Sequence, residues 1–243
     1  MDFYRDIARW YDRFFPLSER KVAFFSDLLS EEGTVSVLDL ACGPGELSNA
    51  LARNSFVVTG IDSTAEFFDD GPAAESGAGT PAFCAARMEA LPFYGEELFD
   101  AVICAGNSLP HLDEHDHIET VIRQCARVLR KQGLFCVQAI DFALVRKRGT
   151  VTLPELRFEQ GGARICLRRF YRVDDAGAAF TPELIIDDVF AHYRIPMYPL
   201  EYDQLWKMLR THGFSHVETY SDYRKTPWDE TTPSYITLAR KND

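Results

Sequence analysis

No run of about 18 consecutive apolar residues occurs in the 243-residue chain, so no membrane-spanning helix is expected. The opening Met1-Asp2-Phe3-Tyr4-Arg5 has neither the basic start nor the uninterrupted apolar core of a secretory leader, which makes a cytoplasmic setting the expectation. Basic residues are outnumbered, with 26 lysines and arginines against 37 acids and a formal net charge of −11. A surface built for a phosphate backbone carries the opposite sign, so nucleic acid is not the expected partner and a small molecule is. Paired cysteines are missing too. Cys42, Cys84, Cys104, Cys125, Cys136 and Cys166 lie singly, with no C-x-x-C pair and no histidine at ligand spacing, so buried free thiols and no metal are expected. The acids and histidines from Asp113 to His117 alternate at a helix start and read as a solvated cap. No internal repeat is visible.

What the chain does have is a 46% hydrophobic composition, enough for the core of one large α/β domain or two small ones. Val35 to Leu40 is an apolar, β-branched run suited to a strand buried on both faces, interrupted by Asp39 near its tip. It breaks into Ala41-Cys42-Gly43-Pro44-Gly45, and Glu46 to Arg53 then reads as a helix whose positive end faces the glycines. Phe56 to Asp62 repeats the strand pattern and again ends in an acid, nineteen residues beyond Gly43. At that spacing an acid can accept hydrogen bonds from ribose hydroxyls; an N-cap or turn carboxylate is the competing reading.

Before this loop, residues 3 to 29 carry apolar side chains at helical spacing broken by Pro16, which predicts two short helices able to fold over the loop. After it, the Gly-, Ala- and Pro-rich stretch Asp69 to Pro81 reads as a connection, Ala82 to Ala85 as a short strand and Phe99 to Ala105 as a fourth. A helix from Ile118 is expected to stop at Lys131-Gln132-Gly133, with a fifth strand from Leu134 to Ile140. The rhythm then changes. Arg164 to Val173 and Leu184 to Arg194 are strand-like, with turns at Gly161-Gly162 and Asp174 to Gly177, and predict an antiparallel insertion. A helix from Tyr202 to His212 and two closing strands, His216 to Tyr223 and Tyr235 to Arg240, complete the chain.

The nicotinamide and flavin fingerprint wants a third small residue where Leu47 and Ser48 stand, and an acid beside the loop suits a cationic or amine-bearing ligand better than a pyrophosphate. Taken together, Val37 to Gly45, Gly60-Ile61-Asp62-Ser63, Met88 to Phe93 and Phe99 to Cys104 resemble the motifs of class I S-adenosylmethionine-dependent methyltransferases, in order and spacing over residues 35 to 140. The resemblance implies a Rossmann-like seven-stranded, mostly parallel sheet with helices on both faces and an antiparallel β insertion, acting as a lid, after strand five. The expected division is a donor-binding core at 1–141, the insertion at 142–200 and the completion of the core at 201–243.

It also implies S-adenosyl-L-methionine as the cofactor. Gly43 and Gly45 would approach it, with Asp39 and Ala41 near its amino-acid portion, Asp62 on the ribose, Ser63 and Ala105 beside it, and Met88 on the adenine face. Arg87 stands where many relatives carry an acid or amide that accepts from the adenine amino group; arginine has no acceptor, which shifts that role to backbone groups or Glu89. Tyr4 and Tyr11 would close over the methionine moiety and Lys21 would pair with its carboxylate, core and surface roles being the alternatives. The segment Cys104 to Leu112 is similar to that after strand four in glycine and sarcosine N-methyltransferases, where the asparagine, here Asn107, helps orient substrate. Past strand five, Ile140-Asp141-Phe142 lacks the arginine those enzymes use for the substrate carboxylate, so a related site with a different acceptor, not glycine itself, is expected. Because the sulfonium methyl is already activated, alignment supplies much of the acceleration; His111 is the candidate base if one is needed, with packing the alternative. Tyr171, Tyr193, Tyr198 and Tyr223 are further candidates for the acceptor pocket. The functions in view are methyl transfer to N or O of a small metabolite, or a catalytically silent sensor of the same ligand.

Overall fold

The computed structural model describes residues 3–68, 79–93, 95–112 and 114–243. The chain opens with α1 (Phe3–Ile7) and α2 (Tyr11–Phe14), joined by a 3-10 turn, and then α3 (Glu19–Glu31). Pro16 falls in the break, and Ser18 caps α3 by accepting from the Lys21 amide at 3.2 Å. β1 (Ser36–Leu40), α4 (Glu46–Arg53), β2 (Val57–Asp62), β3 (Ala82–Ala85) and β4 (Phe99–Cys104) lie within a residue of the positions their apolar runs suggest. Most of the Asp69 to Pro81 connection, residues 69–78, lies outside the described residues.

One boundary differs. α5 (His115–Val128) passes directly into β5 (Leu129–Ile140), so Lys131-Gln132-Gly133 is not a helix stop. Leu129 is already extended and buried against the sheet, and Gln132, at φ 61°, belongs to the irregularity where the ladder to β4 shifts between Phe99 and Ala101. A helix that the sequence did not announce, α6 (Phe142–Arg148), follows; Asp141 caps it by accepting from the amides of Ala143 and Tyr202, each at 3.2 Å. The antiparallel region comprises β6 (Thr150–Gln160), β7 (Ala163–Asp174), β8 (Gly177–Phe180), β9 (Glu183–Ile186), β10 (Val189–His192) and β11 (Ile195–Pro196). The expected run from Leu184 to Arg194 is two strands, because the chain turns at Asp187, φ 54°. α7 (Tyr202–Thr211), β12 (Phe214–Tyr220) and β13 (Ser234–Lys241) complete the chain.

The seven-stranded sheet has the order β12-β13-β5-β4-β1-β2-β3, with β13 antiparallel to both its neighbours, β12 and β5, and the other neighbours parallel. Strand order reverses between β1 and β4, and a crevice opens beyond their carboxyl ends, where open α/β sheets bind ligands. Both faces are covered. Phe25, Leu29 and Leu51 of α3 and α4 pack with Val37 and Ile103; Ile122, Cys125 and Leu209 of α5 and α7 pack with Leu38 and Val102. A third cluster joins Phe3, Ile7 and Phe14 to Ile165, Leu167 and Phe180, so the first helices bridge the large sheet and the antiparallel one. At the opposite end of the strands, Asp100 Oδ2 accepts from the amides of Val35 and Ser36 and from Ser36 Oγ, holding the start of β1 to β4.

All six cysteines are free; Cys104, Cys125 and Cys136 are buried, whereas Cys42, Cys84 and Cys166 are only half-buried. Among the described residues no helix is long and apolar enough to cross a membrane. Asp113 lies outside them; His115 and His117 face Glu119 and Glu114 along their own helix, at 3.5 and 3.9 Å.

Candidate active site

The tips of β1 and β4 are strained in the same way. Ala41 (φ 59°) and Asn107 (φ 63°) both hold left-handed backbones that non-glycine residues adopt at a cost, turning the chain away from the sheet on either side of the crevice. Between them the crevice holds two adjoining cavities, of about 160 and 250 Å3, which share Tyr4, Tyr11, Ala41, Gly106 and Ser108.

The larger cavity is walled by Asp62, Ser63, Thr64, Phe67, Met88 and His111 beyond that seam. Asp62 is fixed by two backbone donors, Gly43 N to Oδ2 at 2.8 Å and Thr64 N to Oδ1 at 2.9 Å. His111 Nε2 lies 2.9 Å from the Tyr4 hydroxyl, with the rings edge to face at 5.4 Å. Burial brings the imidazole down to about 4, so it is neutral at pH 7.

The smaller cavity contains Lys21, Asp39, Ala105, Arg169 and Tyr171. Asp39 is buried and accepts from Ser48 Oγ at 2.6 Å. Its burial raises its pKa, while Ser48 and Lys21 oppose the rise. Lys21 is lowered by its own burial, with Asp39 pulling it back up, and it makes no ion pair among the described residues. Tyr11 is driven well above its ordinary pKa by burial and by Asp62, Cys42, Glu46 and Asp39 around it. Asp39, Glu46 and Asp62 thus lie around the seam, and carboxylates there favour a sulfonium or ammonium.

Of the residues expected from the sequence, Tyr4, Tyr11, Lys21, Asp39, Ala41, Asp62, Ser63, Met88, Ala105 and His111 converge on these cavities. Gly43 and Gly45 shape the floor instead. The space a Cβ would need above Gly43 is taken by Tyr11 at 3.3 Å, and above Gly45 by the Phe83 ring at 2.3 Å. Arg87 and Glu89 pair with each other at 2.6 Å, outside the lining of either cavity. Asn107 sits behind the wall: Oδ1 accepts from Ile140 N at 2.8 Å, while the buried Nδ2 has no hydrogen-bond partner in the described structure. Among the four tyrosines of the second half, Tyr171 alone lines the cavities; Tyr193 bonds Asp6, Tyr198 bonds His115 and Gln204, and Tyr223 bonds Gln138. Phe67, Ser108 and Arg169 were not singled out from the sequence. Ser108 lies within the segment after strand four that was, and its hydroxyl donates to Ala105 O at 2.9 Å.

S-adenosylmethionine has a positive sulfonium, an amino-acid head and a ribose. The acids around the seam, the buried Lys21 and the oriented Asp62 match these three parts, so the residues present fit that cofactor.

Residues 37–133 match a family model described as a methyltransferase domain. Over nearly its whole length the chain is similar to the glycine/sarcosine N-methyltransferase of Aphanothece halophytica, at 27% identity over 98% of this chain and 86% of the relative. It is also 30% identical to human glycine N-methyltransferase over 52% of this chain and 48% of that one. Among solved structures, a S-adenosylmethionine-dependent methyltransferase from Clostridium acetobutylicum superposes with a TM-score of 0.77 at 15% identity, covering all of both chains. The CcbJ methyltransferase of Streptomyces caelestis gives 0.76 at 21% identity, with 98% and 96% covered. The motifs, the switch-point cleft and these likenesses agree: the chain carries a methyltransferase domain at residues 37–133 and is similar, in sequence and fold, to S-adenosylmethionine-dependent methyltransferases.

Proposed function

We propose that this enzyme transfers the methyl of S-adenosylmethionine to an amine nitrogen of a small acceptor held beneath the antiparallel sheet, with residues 142–200 serving as the lid and 1–141 and 201–243 as the donor-binding core. The observation that carries this is the division of one cleft at the switch point into a ribose-like end at Asp62 and an amino-acid end at Lys21 and Asp39, meeting at a shared aromatic seam.

In this reading Asp62 takes the ribose hydroxyls, and Ser63 and Met88 line the adenosine. Lys21 takes the carboxylate and Asp39 attracts the ammonium. Tyr4 and Tyr11 close over the sulfur, with Ala41 and Ala105 forming the walls. Gly43 and Gly45 hold the loop in shape, and Arg87 acts through Glu89 at the rim. When bound, the donor supplies a methyl already activated by its sulfonium.

The protein's own share is alignment and exclusion of water. A neutral amine presents its lone pair without a base, whereas a hydroxyl needs one, and His111 at about 4 is poorly matched to take a hydroxyl proton. Together with the N-methyltransferase names of the full-length relatives, this favours nitrogen. His111 would then fix the Tyr4 hydroxyl over the reacting centre as a neutral partner, and Asn107 would help orient the acceptor from behind the wall, through its contact with the Tyr171 side chain that lines the cleft. A small metabolite in the cytoplasm suits both the net charge of −11 and the six unpaired thiols.

The deciding experiment incubates the enzyme with isotopically labelled methyl donor and a metabolite mixture and reads which mass gains the label. Transfer to an amine is expected. Tight donor binding with no labelled product would favour a sensor instead, and label on a hydroxyl would overturn the nitrogen assignment.

A further inference from the structure

The cleft holds two cations, and the donor carries one carboxylate. Lys21, on α3 beside Asp39 and the glycine loop, is placed for that carboxylate. The other cation, Arg169, enters from β7 in the antiparallel sheet. Alternate residues of a strand face opposite ways, and the two neighbours here fare differently. Arg168 meets Glu155 and Glu183 at 3.5 and 3.7 Å. Arg169 makes no ion pair among the described residues; Nη2 donates to Pro154 O at 2.9 Å, the guanidinium lies 5.6 Å from the Phe15 ring centroid, and Nε is buried without a hydrogen-bond partner.

The backbone is shaped to hold this arrangement. Arg169 pairs with Leu153 across the hairpin, and the ladder then shifts before Leu156, setting the Pro154 carbonyl against the guanidinium. Tyr171, two positions on and therefore on the same face, stacks on Phe180 at 5.1 Å and lines the same cavity. Burial lowers Arg169 and little compensates it besides Tyr171, as for a cation awaiting a partner.

We propose that Arg169 is the anion anchor of the acceptor site, so that the methyl acceptor is an amine that also bears a carboxylate, gripped from the antiparallel sheet. This rests on the methyltransferase reading above. It replaces the missing arginine after β5 by one from a different element, and it explains how the cleft can select an acidic amine while Lys21 remains with the donor. The acceptor is then held between two structural layers, its charged end on the sheet and its nitrogen toward the seam at Tyr4 and Gly106. The donors of the guanidinium that Pro154 O does not engage, Nε among them, offer a carboxylate charge-assisted hydrogen bonds that a neutral amide cannot match.

The test uses labelled methyl donor with paired acceptors: glycine, sarcosine, β-alanine and 4-aminobutyrate, each beside its carboxamide. Donor affinity is measured in parallel by calorimetry. In the wild-type enzyme, label should enter at least one acid ten-fold or more faster than its amide. Arg169→Gln should raise the KM for that acid at least ten-fold, abolish the preference and leave donor affinity within two-fold; Arg169→Lys should recover part of it. Amides labelled as well as acids, no acid labelled, or an Arg169→Gln defect confined to donor binding would each overturn the assignment. Absence of donor binding by the wild-type enzyme would instead bring down the methyltransferase reading itself.

Discussion

Gly43, in the loop after β1, and Asp62, the last residue of β2 and nineteen positions on, are joined by a hydrogen bond of 2.8 Å from the glycine amide to Asp62 Oδ2. The loop after β1 therefore orients the acid at the tip of β2 before any ligand arrives, and the carboxylate keeps acceptor capacity for two hydroxyls. Asp62→Ala should weaken donor binding ten-fold or more, about 1.4 kcal/mol or above, by calorimetry. Unchanged affinity would remove Asp62 from the ribose.

The Tyr4 and His111 pair gives a pH signature. Burial holds His111 at about 4, below the 6.5 of an exposed imidazole. Between those values the unfolded chain binds a proton that the folded one refuses, so this group subtracts stability as pH falls through the window and contributes nothing above it. The slope is at most about 1.4 kcal/mol per pH unit. Urea midpoints measured from about pH 7 down to 5 should fall less steeply in His111→Gln than in the wild type. Identical slopes would mean that His111 titrates normally.

Activity separates positioning from proton transfer at the same pair. Tyr4→Phe and His111→Ala should each lower kcat roughly ten-fold or more with donor affinity nearly kept, the scale of a lost aligning contact. Wild-type turnover in both variants would return the pair to packing.

At Gly45 the φ of 83° and the Phe83 ring together leave no room for a side chain. Gly45→Ala should cost about 1–3 kcal/mol in chemical denaturation, and Phe83→Leu in the same chain should recover part of it. Additive losses would show that the backbone angle alone sets the cost.

Asp100 binds the start of β1 to β4 far from the cleft. Burial raises its pKa, but the amides of Ser36 and Val35, the Ser36 hydroxyl and Arg130 hold it below the ordinary carboxylate value. Its contribution is present above that ordinary value and is lost as the solution becomes more acidic. Asp100→Ala should destabilise by roughly 1–3 kcal/mol at neutral pH with donor affinity intact. An equal loss of donor binding would contradict a role confined to the scaffold.

The large sheet was legible because parallel strands buried on both faces leave continuous apolar runs, and Val37-Leu38-Asp39-Leu40 and Ala101-Val102-Ile103-Cys104 admit few other readings. Several residues lining the cleft were legible for a related reason, since the glycine loop and the acid at the next strand tip hold their spacing through backbone geometry. Lys131-Gln132-Gly133 misled because a basic residue and a glycine mark helix ends and strand irregularities alike, and pairing with Phe99 decided between them. Asp141 before an apolar turn was a usable N-cap signal for α6 that the basic run Arg146-Lys147-Arg148 obscured.

Arg169 could not be read from sequence. Whether it or Arg168 faces inward depends on hairpin register, and a slip of one residue would exchange them.

Four successive residues of α1 reach three parts of the molecule: Phe3 packs on Phe180 and Tyr193 and Asp6 accepts from Tyr193, Tyr4 meets His111, and Arg5 pairs with Glu66. Under the function proposed above, donor exchange and acceptor loading would draw on the same turn, so that a single weakened contact in it would change the pace of both together.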